Sequence, residues 1–167
     1  MFPTRNDLPE DTRAKVCGLL NQLLADTFDL YSQTKEAHWN VKGRDFIQLH
    51  KLFDELAEVL EEPIDELAER VTALGGTAKG TVRMAAAQSQ LPEYPLDVVE
   101  GMDHVRLLSD RWAIYAKAIR SAIDTTDDWG DKDTADLCTE ISREVDKSLW
   151  FLEAHLIATA CDSKNKQ

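Results

Sequence analysis

Helix breakers are scarce in this sequence. Of 167 residues, seven are glycine and five are proline, and residues 8–42 hold only two of these. Long helices are predicted, rather than many short strands. Thiols are scarce too: Cys17, Cys138 and Cys161 stand far apart with no C-x-x-C spacing. An odd, dispersed set argues against a disulfide framework and a thiolate zinc site, and reads as small apolar filler in a reducing compartment. No apolar run opens the chain between Met1 and Asp11, and none elsewhere approaches membrane-spanning length. The reading is a cytoplasmic protein without a signal peptide or membrane partner. Positive charge is the last shortage. Nineteen Lys and Arg face 31 Asp and Glu, a formal −12, which opposes nucleic-acid binding through a broad basic face.

What remains is the material of one domain. The length suits a single unit over 1–167, with residues 1–8 and 161–167 as short tails, and 43% hydrophobic content supplies an ordinary core. No internal repeat or low-complexity tract divides it. The acidity is concentrated: residues 51–70 hold eight carboxylates against Lys51 and Arg70, a formal −6.

Apolar periodicity predicts four long helices. The first begins near Pro9, with Glu10 and Asp11 suiting its dipole. Its stripe is Val16, Leu19, Leu20, Leu23, Leu24, Phe28 and Tyr31, interrupted only by Thr27. Gly43 supplies the stop. Asp45 and Gln48 have the spacing of a capping box for the second helix, which carries Phe46, Leu49, Phe53, Leu56, Leu60, Ile64, Leu67 and Val71 and ends at Gly75-Gly76. Pro63 lies inside it, so a kink is expected near Val59. Residues 77–96 keep no pattern beyond a short helical piece at 82–88. Asp97 and Glu100 predict a cap for the third helix, an aspartate-rich loop (Asp124, Asp127, Asp128, Asp131, Asp133) follows, and the fourth helix starts near Thr134. Two helical hairpins joined by a long crossover carrying a short helix make an all-α, ferritin-like four-helix bundle.

Five polar residues sit at related positions in this scheme. His38 lies five residues before Gly43 and His50 seven after it, so the two reach similar heights on neighbouring antiparallel helices. His50 and Asp54 share a face, as do Asp65 and Glu69. Imidazole and carboxylate together suit a divalent first-row metal such as ferrous iron. Asp54 and Asp65, however, are about 16 Å apart along the axis at about 1.5 Å per residue. One ion on one chain cannot be held by both pairs. A second copy packed across a two-fold axis resolves this, and two equivalent sites then form in an isologous dimer. The Glu-x-x-His motif of intrasubunit di-iron bundles is absent: Lys35, Ile47, Gly101 and Leu152 precede His38, His50, His104 and His155 by three. There is no H-E-x-x-H either. His104 and His155 read as structural or solvent-facing.

The run Thr34-Lys35-Glu36-Ala37-His38-Trp39-Asn40-Val41-Lys42-Gly43, with Leu49-His50, Phe53-Asp54 and Asp65-x-x-Ala68-Glu69-Arg70, resembles the signature of the Dps family, the DNA-binding proteins from starved cells. Ala73-Leu74-Gly75-Gly76, Tyr94-Pro95-Leu96-Asp97, Asp133-Thr134-Ala135-Asp136 and Leu149-Trp150-Phe151 extend the resemblance over nearly the whole chain. It implies a dodecameric shell with ferroxidase centres at dimer interfaces, where His38, His50 and Asp54 face Asp65 and Glu69 of the partner subunit. It implies that ferrous iron is the substrate, oxidised with hydrogen peroxide in preference to dioxygen, with ferric mineral stored inside and DNA thereby protected. Zinc is a substitute that the same donors accept. Trp39, beside His38, has two readings: electron donor to a reactive intermediate, or filler of the dimer seam. Glu55, Glu58, Glu61 and Glu62 are candidates for mineral nucleation, and the aspartates from Asp131 to Asp136 for a three-fold pore that attracts ferrous ions.

The rival reading is a nucleoid-associated protein that binds and compacts DNA, with iron binding secondary. Against it, residues 1–15 hold Arg5, Arg13 and Lys15 opposite Asp7, Glu10 and Asp11, and the last seven hold Lys164 and Lys166 opposite Asp162. Weak or absent DNA binding is expected at physiological salt, although twelve weak tails would add through multivalency. A third, blander reading is a helical bundle whose acidic face serves protein contacts alone.

Overall fold

A computed structural model describes the backbone of residues 1–164 and the side chains of residues 1–157. Among the described residues, six helices follow one another: α1 Glu10–Asn40, α2 Phe46–Glu58, α3 Glu61–Ala73, α4 Val82–Gln88, α5 Gly101–Asp128 and α6 Lys132–Lys164. The first hairpin lays α1 along α2 and α3, the second lays α5 along α6, and α1 packs on α5 to close the bundle. The core is built largely from the predicted apolar stripes, with Leu30 added on α1 and Phe46 left 43% exposed at the start of α2. Leu20, Leu24, Leu30, Phe53, Leu56, Leu67, Leu108, Trp112 and Tyr115 are fully enclosed, each contributing about 1.5–3 kcal/mol of burial for side chains of this size. Thr27, the polar interruption, is also buried, with its hydroxyl donating to Leu23 O and accepting from Tyr115 Oη. α6 takes in residues 161–164 of the expected C-terminal tail, and the remainder lies outside the described residues.

The kink expected at Val59 is a break. α2 ends at Glu58, Val59 and Leu60 form a tight turn in which Leu60 N–H donates to Ala57 O, and α3 restarts at Glu61. Pro63 thus becomes the third residue of α3, where backbone N–H groups lack intrahelical partners anyway.

Three expectations about helix ends are corrected. Asp45 precedes α2 without capping it, and Asp97, the expected cap of the third helix, stands four residues before α5, whose preceding residue Glu100 does not cap either. α5 begins at Gly101, because Lys42 N–H donates to Val99 O and holds the preceding segment extended. Asp124, Asp127 and Asp128 belong to α5, so the aspartate-rich loop shrinks to Trp129–Asp131 and α6 starts at Lys132. Asp131 is the working cap: it accepts from Thr134 N–H and is paired with Arg70. Only 2% exposed, it is committed to structure rather than to a pore.

The irregular crossover is held by one polar face of α1. Asn21 donates to Thr77 O and accepts from Lys79 N–H, Gln22 donates to Gln88 O, and Asp26 accepts from Gln90 N–H. Asp29 accepts from Ser89 Oγ, and Gln33 donates to Pro92 O. Backbone that makes no helical or sheet bonds must find such partners when buried. At the start of the crossover, a Cβ on Gly76 would lie 2.6 Å from Cys17 Sγ and 2.9 Å from Val71 O, so only glycine lets the chain turn so close to α1. Gly43 turns α1 into α2 with a φ of 104°, a conformation that glycine adopts readily.

Candidate metal centre

The turn at Gly43 brings the end of α1 back against the start of α2, and it places His38 beside His50 as their spacing suggested. Their rings stack with centroids 3.8 Å apart. Each ring also bonds to the other's backbone: His38 Nδ1 lies 2.7 Å from His50 O, and His50 Nδ1 lies 2.8 Å from His38 O. A carbonyl oxygen can only accept, so both Nδ1 atoms carry the hydrogen. In the neutral imidazoles, the lone pair is therefore on Nε2, free for a cation. His38 O is available because the last carbonyls of a helix have no intrahelical donor. Phe46 stacks on the far side of His50 at 5.2 Å and confines that ring further.

Asp54, one turn after His50, joins the pair. Its Oδ1 lies 3.8 Å from His38 Nδ1 and accepts from Lys35 Nζ at 2.5 Å. The Lys35 bond, against an opposing effect of partial burial, holds the Asp54 carboxyl below the usual carboxylate range, and the nearby histidines add to this. The same bond raises the Lys35 ammonium. Sequence reasoning missed Lys35 as a member of the site. The signal was present: it lies one turn before His38 on α1, at the height that Asp54 reaches on α2.

Asp65 and Glu69 are exposed one turn apart on α3, beyond the break at Val59–Leu60. Among the described residues, no group of three or more His, Cys, Asp or Glu side chains is arranged to hold a metal within one chain. The chain gathers His38, His50, Asp54 and Lys35; it does not bring Asp65 and Glu69 to them. Trp39 is 64% exposed and borders a cavity of about 540 Å³ with Glu36, Gln33 and Tyr94. Glu55, Glu58, Glu61 and Glu62 are all exposed.

This architecture has close counterparts. The ferritin-like domain family matches residues 17–160. A DNA protection during starvation protein of Agrobacterium fabrum is 46% identical over 153 residues, covering 92% of this chain and 94% of that one. The chain belongs to the Dps family. Among solved Dps structures, DpsC from Streptomyces coelicolor is 36% identical with a TM-score of 0.87, covering 93% of this chain and 90% of its own. A Dps protein from Vibrio cholerae O1, described as a member of a broad superfamily of ferritin-like diiron-carboxylate proteins, is 29% identical with a TM-score of 0.86. That alignment covers 93% of this chain and 98% of the other. The Dps chain has no helix among its described residues long and apolar enough to cross a membrane.

Proposed function

We propose that this Dps chain oxidises ferrous iron at centres shared between two subunits, preferring hydrogen peroxide as oxidant, and stores the ferric product as mineral inside a dodecameric shell. DNA is protected because ferrous iron and peroxide are removed together. The observation that carries the reading is the reciprocal His38–His50 pair. It fixes both imidazoles in the tautomer that presents Nε2, with the Asp54 carboxylate beside them. Imidazole and carboxylate donors bind ferrous iron and leave positions open for an oxidant.

Asp65 and Glu69 of the partner subunit complete the donor set in this reading. Their exposure on α3 and their isolation from the histidines within one chain support it. Iron is the substrate, and zinc occupies the same donors as a competitor. Lys35 holds the Asp54 carboxylate until a cation displaces its ammonium.

The test is anaerobic loading with ferrous iron followed by peroxide, with ferric formation read from near-ultraviolet absorbance. The parent protein oxidises iron rapidly, and more slowly with dioxygen alone. If the double variant His50→Ala/Asp54→Ala matched the parent rate, the assigned centre would be wrong.

DNA compaction is the less favoured function. Of the tail cations, Arg13 is buried and donates to Leu8 O and Leu74 O, while Phe2 N–H donates to Gly75 O and ties the N-terminal segment down. A formal −12 per chain opposes the phosphate backbone further.

A further inference from the structure

The crossover seats a second pair of polar rings in the core. Tyr94 and His104 are 7% and 1% exposed. Tyr94 Oη lies 2.6 Å from His104 Nδ1, and the rings run nearly parallel with centroids 6.0 Å apart. His104 Nε2 is enclosed without a hydrogen-bond partner. Burial pushes the imidazole down and the phenol up, so both groups are neutral. The phenol is then the donor and the Nδ1 lone pair the acceptor.

The other two tyrosines lack this arrangement. Tyr115 Oη bonds to Thr27 Oγ1, whose own proton goes to Leu23 O, and a hydroxyl is a poor base. Tyr31 Oη lies at the surface, 3.4 Å from Glu61 Oε1. Among the described residues, only Tyr94 directs its O–H at a buried neutral base. The distinction matters because a phenol gives up an electron far more readily when its proton leaves in the same step.

The pair also lies between residues that adjoin the candidate metal centre. Tyr94 and Trp39 border the same cavity of about 540 Å³, and Trp39 follows His38 in the chain. On the other flank, the Phe53 ring is 6.3 Å from His104, and Phe53 precedes Asp54. The Arg111 guanidinium stands 5.3 Å over the Tyr94 ring. Its charge disfavours a phenol radical cation and ties electron loss to proton transfer.

We propose that Tyr94 and His104 form an internal proton-coupled electron donor that quenches one-electron oxidants escaping the iron centre. The oxidant rests on the iron-oxidation reading: one ferrous ion reducing hydrogen peroxide yields a ferric ion, hydroxide and a hydroxyl radical. That radical takes one electron from Tyr94 and becomes hydroxide, while the phenolic proton moves to His104 Nδ1. A neutral tyrosyl radical and an imidazolium result; the Asp103 carboxylate favours the imidazolium against burial and the Lys42 charge. A second ferrous ion returns the electron, the proton moves back, and Tyr94 is restored. Two ferrous ions are then oxidised per peroxide, with two hydroxides formed and no radical released.

The test has two arms on the assembled protein. In the first, metal-free protein is oxidised with photogenerated ruthenium(III) tris-bipyridine, and freeze-quenched radicals are read by electron paramagnetic resonance. The tyrosyl signal persists in Tyr31→Phe and Tyr115→Phe. It falls by more than half in Tyr94→Phe, which keeps the ring and its packing, and also in His104→Gln, which removes the base. An unchanged tyrosyl yield in Tyr94→Phe overturns the proposal. In the second arm, ferrous iron and peroxide are added with a spin trap, and Tyr94→Phe releases several-fold more trapped hydroxyl radical per iron oxidised. Equal trapping in variant and parent also overturns it. A parent that fails to oxidise iron sinks the iron reading instead, and the ruthenium arm still judges the pair.

Discussion

His38 and His50 each donate an Nδ1–H to the other's backbone carbonyl, at 2.7 and 2.8 Å, so each ring orients its neighbour as well as itself. Removing one side chain therefore damages both donors. His50→Ala deletes one Nε2 and also the bond from its ring to His38 O that helps fix the α1–α2 turn. Since losing the partners that orient a ligand alone costs about 10–100-fold in metal affinity or activity, His50→Ala should slow peroxide-driven iron oxidation by at least about 10-fold. Stopped-flow absorbance checks this, and a rate within twofold of the parent would remove His50 from the centre.

Lys35 and Asp54 make a prediction about pH. The Asp54 carboxyl is held low by the Lys35 ammonium. Its contribution to the fold is therefore present above the ordinary carboxylate value and is lost as pH falls through the lower, folded value. Lys35→Met removes the bond, and Asp54 then protonates at a higher pH, nearer the ordinary range. The acid limb of ferrous binding should shift upward in the variant. At neutral pH binding should tighten, because no ammonium has to be displaced. Calorimetric titrations of ferrous iron under argon across pH check both signs; a variant with the parent's acid limb would show that Lys35 does not control Asp54.

A centre divided between subunits predicts complementation. His50→Ala/Asp54→Ala chains lack one half of each site, and Asp65→Ala/Glu69→Ala chains lack the other, so each variant alone should be inactive. Co-refolded in equal amounts, half of the two-fold dimers are mixed, and each mixed dimer rebuilds one intact site of two. About a quarter of the parent's activity should return. Activity in the second variant alone, with none gained on mixing, would place the whole centre within one subunit.

The parts legible in the sequence were those with a period or a fixed reach. Apolar periodicity announced the four-helix bundle, and the helical piece at 82–88 was found at its observed bounds. His38 met His50 because Gly43 dictates a short hairpin whose heights can be counted. Capping was less legible. Asp45–Gln48 and Asp97–Glu100 had the right spacing, yet Asp45 does not cap α2 and Asp97 lies four residues before α5 starts, whereas Asp131 caps α6 from within a run of aspartates that looked like open loop. The Lys35–Asp54 pair was hidden because a lysine on an acidic protein looks like a solvated charge. The polar face of α1 was hidden for a different reason. Asn21, Asp26, Asp29 and Gln33 resemble an exposed stripe, and only the path of the crossover buries or half-buries them.

That path gives the final prediction. Arg111 on α5 is 5% exposed and donates to Gln33 Oε1 at 2.6 Å, Glu93 O at 2.8 Å and Leu107 O at 3.1 Å. It therefore connects α5, α1 and the crossover at one point. Arg111→Met fills similar space but leaves the Glu93 carbonyl and the Gln33 amide oxygen without their donor. Buried acceptors that lose a charged partner cost about 2–4 kcal/mol together. For a chain of this size, that corresponds to a drop in melting temperature of roughly 5–15 °C. Measurements at matched protein concentration are needed, because assembly adds to apparent stability. Hydrogen exchange should show early opening at residues 89–94 with α6 still protected. A melting temperature equal to the parent's would mean that the α1 side chains hold the crossover without Arg111.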